Sequence, residues 1–296
     1  MRIFLTGATG FIGSAIVPEL INAGHQVVGL ARSDSNAKSL AAAGAQVHRG
    51  SIEDLDSLRK GASAVDGVIH TAFNHDFSKW AENCENDRLA IEALGSALIG
   101  SNRRLVITSG TGLVTRSDGR AAAEDDAPTS TVPRIKSEEA GNAMAARGVH
   151  VSVVRLPPSV HGDGDHGFVP TLIRIAHDKR AAAYVGEGSN RWPAVHRLDA
   201  AHLFRLVLEK GAAGARYHGV GEEGIPFRDI ATVIGQRLNV PVVSKTPEEA
   251  AEHFGWFSHF AALDTPASSE KTQKELGWQP THVGLIADLR RGTYFD

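Results

Sequence analysis

Six short apolar runs recur through the first half of this sequence, and no other feature limits its possible folds as much. The runs are Arg2–Thr6, Gln26–Ala31, Gln46–Arg49, Val65–His70, Arg104–Thr108 and His150–Leu156. Between them, Phe11–Ala23, Ser35–Ala43, Ile52–Lys60, Lys79–Gly100 and Arg134–Arg147 read as helices. Strands separated by helices or long crossings imply a parallel sheet covered on both faces. Right-handed crossovers then make it doubly wound. The rhythm breaks after Leu156, where Pro157, Pro158, Gly162, Gly164 and Gly167 crowd into a loop. The expectation is an α/β chain with its parallel sheet over residues 1–156. A smaller substrate-binding part covers residues 157–296, from which a strand near Arg216–Val220 returns to the sheet.

Gly7-Ala-Thr-Gly10-Phe-Ile-Gly13 follows the first run and opens the first helix. In that setting Gly7 permits a sharp turn, Gly10 admits a pyrophosphate to the backbone, and Gly13 lets helix and strand pack closely. The helix N-terminus adds free N–H groups and a positive dipole. The first 156 residues therefore read as a Rossmann-type dinucleotide-binding unit, with Gly7, Thr9, Gly10, Phe11, Ile12 and Gly13 as its phosphate turn. An acid at the end of the second strand would bind the ribose 2′-OH of NAD. Ala31 stands there, followed by Arg32 and Ser33, a guanidinium and a hydroxyl suited to a 2′-phosphate. NADP is the expected cofactor. NAD is the alternative, with Asp34 taking the acid's role if the turn is shifted.

The spacing in TGATGFIG resembles that of the extended and atypical short-chain dehydrogenases/reductases, the group that includes NAD-dependent epimerases and dehydratases. Three further segments are similar to the family's in the same order: GVIHTA at 67–72, VVRLPPSVHGDGD at 153–165 and PAVHRLDAAHL at 193–203. The resemblance implies that Thr71, Ala72 and Phe73 lie beside the cofactor and that Ser51 and Ile52 line the adenine pocket. It also implies a catalytic Tyr-x-x-x-Lys with an upstream Ser or Thr. None of the three tyrosines, Tyr184, Tyr217 and Tyr294, has that spacing. Aligned on VPRIKSEEA, Lys136 matches the lysine, which would hold the cofactor ribose, and Val132 matches the tyrosine. The chain thus resembles a subgroup lacking the active-site tyrosine. Ser109, Thr111, Lys136 and His161 are the candidates for the catalytic work, His161 because it stands at the family's VYG tyrosine. The implied activity is hydride transfer between NADP(H) and a small carbonyl or alcohol. A non-catalytic NADP-binding sensor and a nucleotide-sugar epimerase or dehydratase are the alternatives.

Composition narrows the partners. A net charge of −3 supplies no positive field for nucleic acid. The single cysteine, Cys84, forms no internal disulfide and no thiolate zinc site. His161, Asp163, Asp165 and His166 share a loop without metal-ligand spacing, so no metal site is expected. No run approaches the roughly 20 apolar residues of a membrane span. The expectation is a cytoplasmic protein with a small-molecule substrate and no nucleic-acid or membrane partner, and the resemblance implies a homodimer. Trp192, His196 and Arg197 are read as substrate-side groups, and HFGWFSHF at 253–260 as core or lid.

Overall fold

The computed structural model of the protein describes residues 1–116, 118–129, 131–291 and 293–295. Its first half runs β1 (Arg2–Thr6), α1 (Gly13–Asn22), β2 (Gln26–Ala31), α2 (Asp34–Ala42), β3 (Gln46–Arg49), α3 (Leu55–Ser63), β4 (Gly67–His70), α4 (Trp80–Ser96), β5 (Arg104–Gly110), α5 (Lys136–Ala146) and β6 (His150–Leu156). The expected elements are present, with shifted ends where capping decides them. The third helix begins at Leu55, not Ile52, because the Asp54 carboxylate accepts from the Ser57 amide at 3.0 Å. The helix expected from Arg134 begins as a 3-10 turn at Pro133–Ile135, and α5 proper opens at Lys136.

The second half holds β7 (Ser159–His161), α6 (Phe168–Lys179), β8 (Ala182–Val185), β9 (Arg191–His196), α7 (Arg197–Lys210), β10 (Arg216–His218), β11 (Glu222–Pro226) and α8 (Phe227–Leu238). It continues with β12 (Val242–Lys245), α9 (Pro247–Phe254), α10 (Ser258–Ala262), α11 (Glu270–Leu276) and α12 (Leu285–Arg291). Most of its strands lack the long apolar runs of the first half, which is why the sequence pattern did not reveal them.

Seven strands form one parallel sheet in the order β10-β6-β5-β4-β1-β2-β3. The winding reverses between β1 and β4, and a crevice at such a reversal is where open α/β sheets bind ligands. One face of the sheet is covered by an apolar layer containing Ile16 and Leu20 of α1 and Leu203, Phe204 and Val207 of α7. The other is covered by Leu58 of α3, Ile91 and Leu94 of α4 and Met144 of α5. β10 extends the sheet beyond β6, in register Tyr217 with Val154. A separate core joins α6, β8, β9 and α8 to the C-terminal helices, around Trp192, Phe227 and Phe257. Among the described residues, no helix is long and apolar enough to cross a membrane.

Candidate functional site

The turn between β1 and α1 is shaped by its glycines. Gly7 sits at φ +68°, and a Cβ there would lie 2.7 Å from both the Ala72 amide nitrogen and Thr71 Oγ1. A Cβ on Gly13 would lie 2.0 Å from the Gly7 carbonyl oxygen. That glycine is therefore required for the turn to close on itself, a tighter constraint than the helix–strand packing expected of it. The Gly10 amide donates to the Gly7 carbonyl at 2.8 Å, while the amides of Phe11 and Ile12 have no acceptor in the described chain. No side chain caps α1, and its first turn carries no acid. Free amides at an uncapped helix N-terminus fit a dinucleotide's pyrophosphate. Thr9 borders a cleft of about 180 Å3 between α1 and α2, together with Ser14, Asn36 and Ser39.

Where the ribose is expected, β2 and β3 finish side by side, Ala31 opposite Arg49. Arg32 is exposed, without an ion-pair or hydrogen-bond partner in the described chain. Ser33 caps α2, its hydroxyl accepting from the Asn36 amide at 3.2 Å. Arg49, which sequence reasoning did not single out, donates to the Ser33 carbonyl at 2.6 Å and pairs with the Asp34 carboxylate. Asp34, the acid that could have favoured NAD, is thus already engaged. Ile52 packs against the core, and Ser51 accepts from the Asp54 amide through its carbonyl.

Beneath the turn lies a buried polar chain. The Thr6 hydroxyl is 2.7 Å from His70 Nδ1 and accepts from the Ala72 amide, while Thr71 Oγ1 donates to the Thr6 carbonyl at 2.9 Å. His70 Nε2 lies 3.0 Å from Asp87 Oδ1 on α4. The other Asp87 oxygen accepts from the Ser137 hydroxyl and from Arg134 at 2.8 Å. Burial works to raise the Asp87 carboxyl, but Arg134, His70 and Ser137 outweigh it and hold it at about 2. Arg134 also donates to the Thr108 carbonyl at 3.1 Å and lies 4.3 Å over the Phe73 ring. Neither Asp87 nor Arg134 was expected here. The available signal was an acid on the apolar stripe Cys84, Asp87, Ala90, Ile91 and Leu94, since a buried acid is rare unless paired.

The four catalytic candidates fall in different surroundings. The Ser109 hydroxyl donates to buried Glu138 at 2.8 Å, and Glu138 is bound by Arg155 and Arg216. Burial raises the Glu138 carboxyl, but the two guanidiniums and Ser109 bring it below the usual carboxylate range. The Thr111 hydroxyl is fully buried without a hydrogen-bond partner. Lys136 Nζ is 2.7 Å from Glu85 on α4. Val132 has extended backbone ahead of the 3-10 turn, so it does not share an α-helical face with Lys136. His161 is buried, with Nδ1 2.8 Å from Asp288, Nε2 unpartnered and the His196 ring edge-on at 5.4 Å.

On the substrate side, Trp192 is core, packed against Phe168, Phe227 and Phe257. Arg197 instead reaches the glycine turn between β1 and α1. It lies 4.8 Å over the Phe11 ring, donates to Ser14 Oγ at 3.3 Å and holds the Asp163 carbonyl at 2.6 Å. In 253–260, Phe254 and Phe257 are buried and Trp256 is exposed, so the segment contributes to both core and surface.

An uncharacterized protein of Schizosaccharomyces pombe is 53% identical over the full length of both chains. A 4-hydroxy-2-methyl-3-oxo-4-farnesyl-3,4-dihydroquinoline-1-oxide ketoreductase of Stigmatella aurantiaca is 26% identical, covering 98% of this chain and 96% of its own. The structure of the dTDP-glucose 4,6-dehydratase DesIV from Streptomyces venezuelae superposes with a TM-score of 0.80 at 21% identity, over all of this chain and 96% of that one. The family model described as the NAD dependent epimerase/dehydratase family matches residues 3–220, a span that takes in the glycine turn, both strand ends beside it and the returning strand β10, and the chain belongs to that family.

Proposed function

We propose that this protein is an NADP(H)-dependent reductase or dehydrogenase acting on a small carbonyl or alcohol. The observation that carries this reading is the Thr111 hydroxyl, buried and unpartnered just beyond the end of β5. Leaving such a group unsatisfied costs about 1–3 kcal/mol, and orphans of this kind call for a functional explanation. Thr111 is fully enclosed, so a substrate oxygen would satisfy it only once the turn Thr111–Leu113 opens toward the site.

The Phe11 and Ile12 amides would hold the pyrophosphate, and Thr71–Phe73 would line its track. Arg32 is exposed and available to pair with a 2′-phosphate, whereas Asp34 is tied to Arg49 and does not oppose that charge. When bound, the reduced nicotinamide supplies the hydride. With that turn open, Thr111 would donate its hydroxyl hydrogen to the substrate oxygen as negative charge grows there, and water would return the proton. Lys136, released from Glu85, would add positive charge. Ser109 acts structurally in this reading, through Glu138, while His161, fixed by Asp288 at Nδ1 and with Nε2 buried and unpartnered like the Thr111 hydroxyl, is the alternative donor. The Lys136–Glu85 pair favours a second reading, a non-catalytic sensor, because it withdraws the ammonium from the site.

The test follows NADPH absorbance over a carbonyl panel, with cofactor binding measured by calorimetry. Turnover that falls about 10²-fold in Thr111→Val supports the reductase. NADPH binding without turnover on any substrate supports the sensor, and failure to bind NADPH defeats both.

A further inference from the structure

The crossing after β4 meets the C-terminal helices almost entirely through aromatic rings. Phe77 lies between two tryptophans: its ring is stacked on Trp80 at 5.0 Å and 17°, and on Trp256 at 4.9 Å and 28°. Phe168 and Phe260 close the stack from the side, at 6.0 and 5.7 Å from Phe77. The stack emerges from the core: Phe168 and Phe260 pack on the cluster around Trp192 and Phe257, whereas Trp256 is 53% exposed and Phe77 and Trp80 are only partly buried. Among the described residues, no hydrogen bond or ion pair joins 71–82 to 250–262, and Phe77 meets Trp256 and Phe260 through ring contacts.

The stack is continuous with the candidate site. Trp80 meets Phe73 edge-on at 5.5 Å, and Phe73 follows Thr71 and Ala72, which pack against Gly7 of the phosphate turn. The guanidinium over Phe73, Arg134, is already neutralised by Asp87. The inner end of this wall therefore offers ring faces and no spare charge for a phosphate.

We propose that Trp80 and Trp256 form a clamp for a flat, uncharged ring of the substrate, and that Phe77 fills that slot in its absence. This deepens the reductase reading and rests on it: the substrate is an apolar ring-bearing carbonyl compound, not a nucleotide-linked one. Ring-on-ring contact suits this role because one aromatic face replaces another at little cost.

The experiment titrates the protein–NADP+ complex, which has no hydride to give, with 2-acetylnaphthalene, and reads tryptophan fluorescence. The expected result is saturable quenching, with affinity at least tenfold weaker in Trp256→Ala and at least threefold tighter in Phe77→Ala, where the slot is vacated. Both variants should bind NADP+ as the wild type does. Acetone, lacking a ring, should give only linear, collisional quenching with no saturable component. The proposal is overturned if both variants stay within twofold of wild type, or if UDP-glucose quenches as strongly as 2-acetylnaphthalene and loses affinity in Trp256→Ala. Failure of the wild type to bind NADP+ would instead defeat the reductase reading itself.

Discussion

Arg32 and Arg49 stand at neighbouring strand ends, but only Arg49 has an acid to neutralise, and this makes their roles separable. Removing the free guanidinium in Arg32→Ala should weaken NADP(H) by about 1.5–3 kcal/mol, the scale of a charge-assisted hydrogen bond, and leave NAD(H) unchanged by calorimetry. Equal losses for both cofactors would show that Arg32 does not read the phosphate. Ser109 and Thr111 separate in a similar way. In sequence they are two apart, both just past the apolar run Arg104–Thr108, with nothing to tell their surroundings apart. The strand ends at Gly110 and a 3-10 turn begins at Thr111, so their side chains part company. A propensity argument cannot see that break, because it depends on how β5 meets its neighbours. Thr111→Val should remove an unsatisfied hydroxyl, holding or slightly raising the thermal midpoint while turnover falls about 10²-fold. Ser109→Ala should do the reverse, lowering the midpoint while the bound cofactor still turns over. A Thr111→Val protein that is destabilised and fully active would place the hydroxyl in the packing instead.

The glycine turn and α4 were legible to different degrees. Gly7, Gly10 and Gly13 could be read because backbone geometry dictates them locally. Asp87 could not, because its partners His70, Ser137 and Arg134 come from three distant segments. Gly13→Ala should cost the fold, since its Cβ would fall 2.0 Å from the Gly7 oxygen. Gly10→Val, whose Cβ meets only the Gly7 oxygen, at a tight 3.1 Å, should abolish cofactor binding at a smaller cost to the fold than Gly13→Ala, with far-UV circular dichroism checking that the fold persists. Retained binding in Gly10→Val would remove the phosphate-cradle argument. Asp87 adds a pH dependence whose sign is fixed by its depressed pKa. Its stabilisation is fully present above the ordinary value of 3.8 and is lost as pH falls through about 2. The loss should be on the order of 2 kcal/mol, read by denaturant unfolding between pH 4 and 2. Asp87→Asn should flatten that slope; an unchanged slope would assign the acid lability to other carboxylates, among them Glu138.

For the molecule as a whole, α7 raises a question that sequence reading left open. Its buried residues Ala200, Leu203, Phe204, Val207 and Leu208 have clear helical spacing, but spacing does not reveal which sheet they cover. They cover the first sheet: α7 packs beside α1, and β10 follows it to pair with β6. Trp278, from still later in the chain, joins the same layer and donates to the Asp199 carbonyl at 3.0 Å. A division at residue 156 therefore follows the sequence rhythm but cuts through one hydrophobic layer. We expect residues 1–156 alone to be insoluble or partly folded, because Ile16, Leu20 and Val154 would lose the side chains that cover them. In the full chain, Phe204→Ala should cost about 3–5 kcal/mol, as large core truncations do. Its unfolding transition should shift as a unit, with near-UV and far-UV signals coincident, because the sheet and its late-arriving cover cannot unfold separately. A soluble, monomeric 1–156 fragment that binds NADP would refute this, and would mean that α7 and β10 add to a sheet already stable without them.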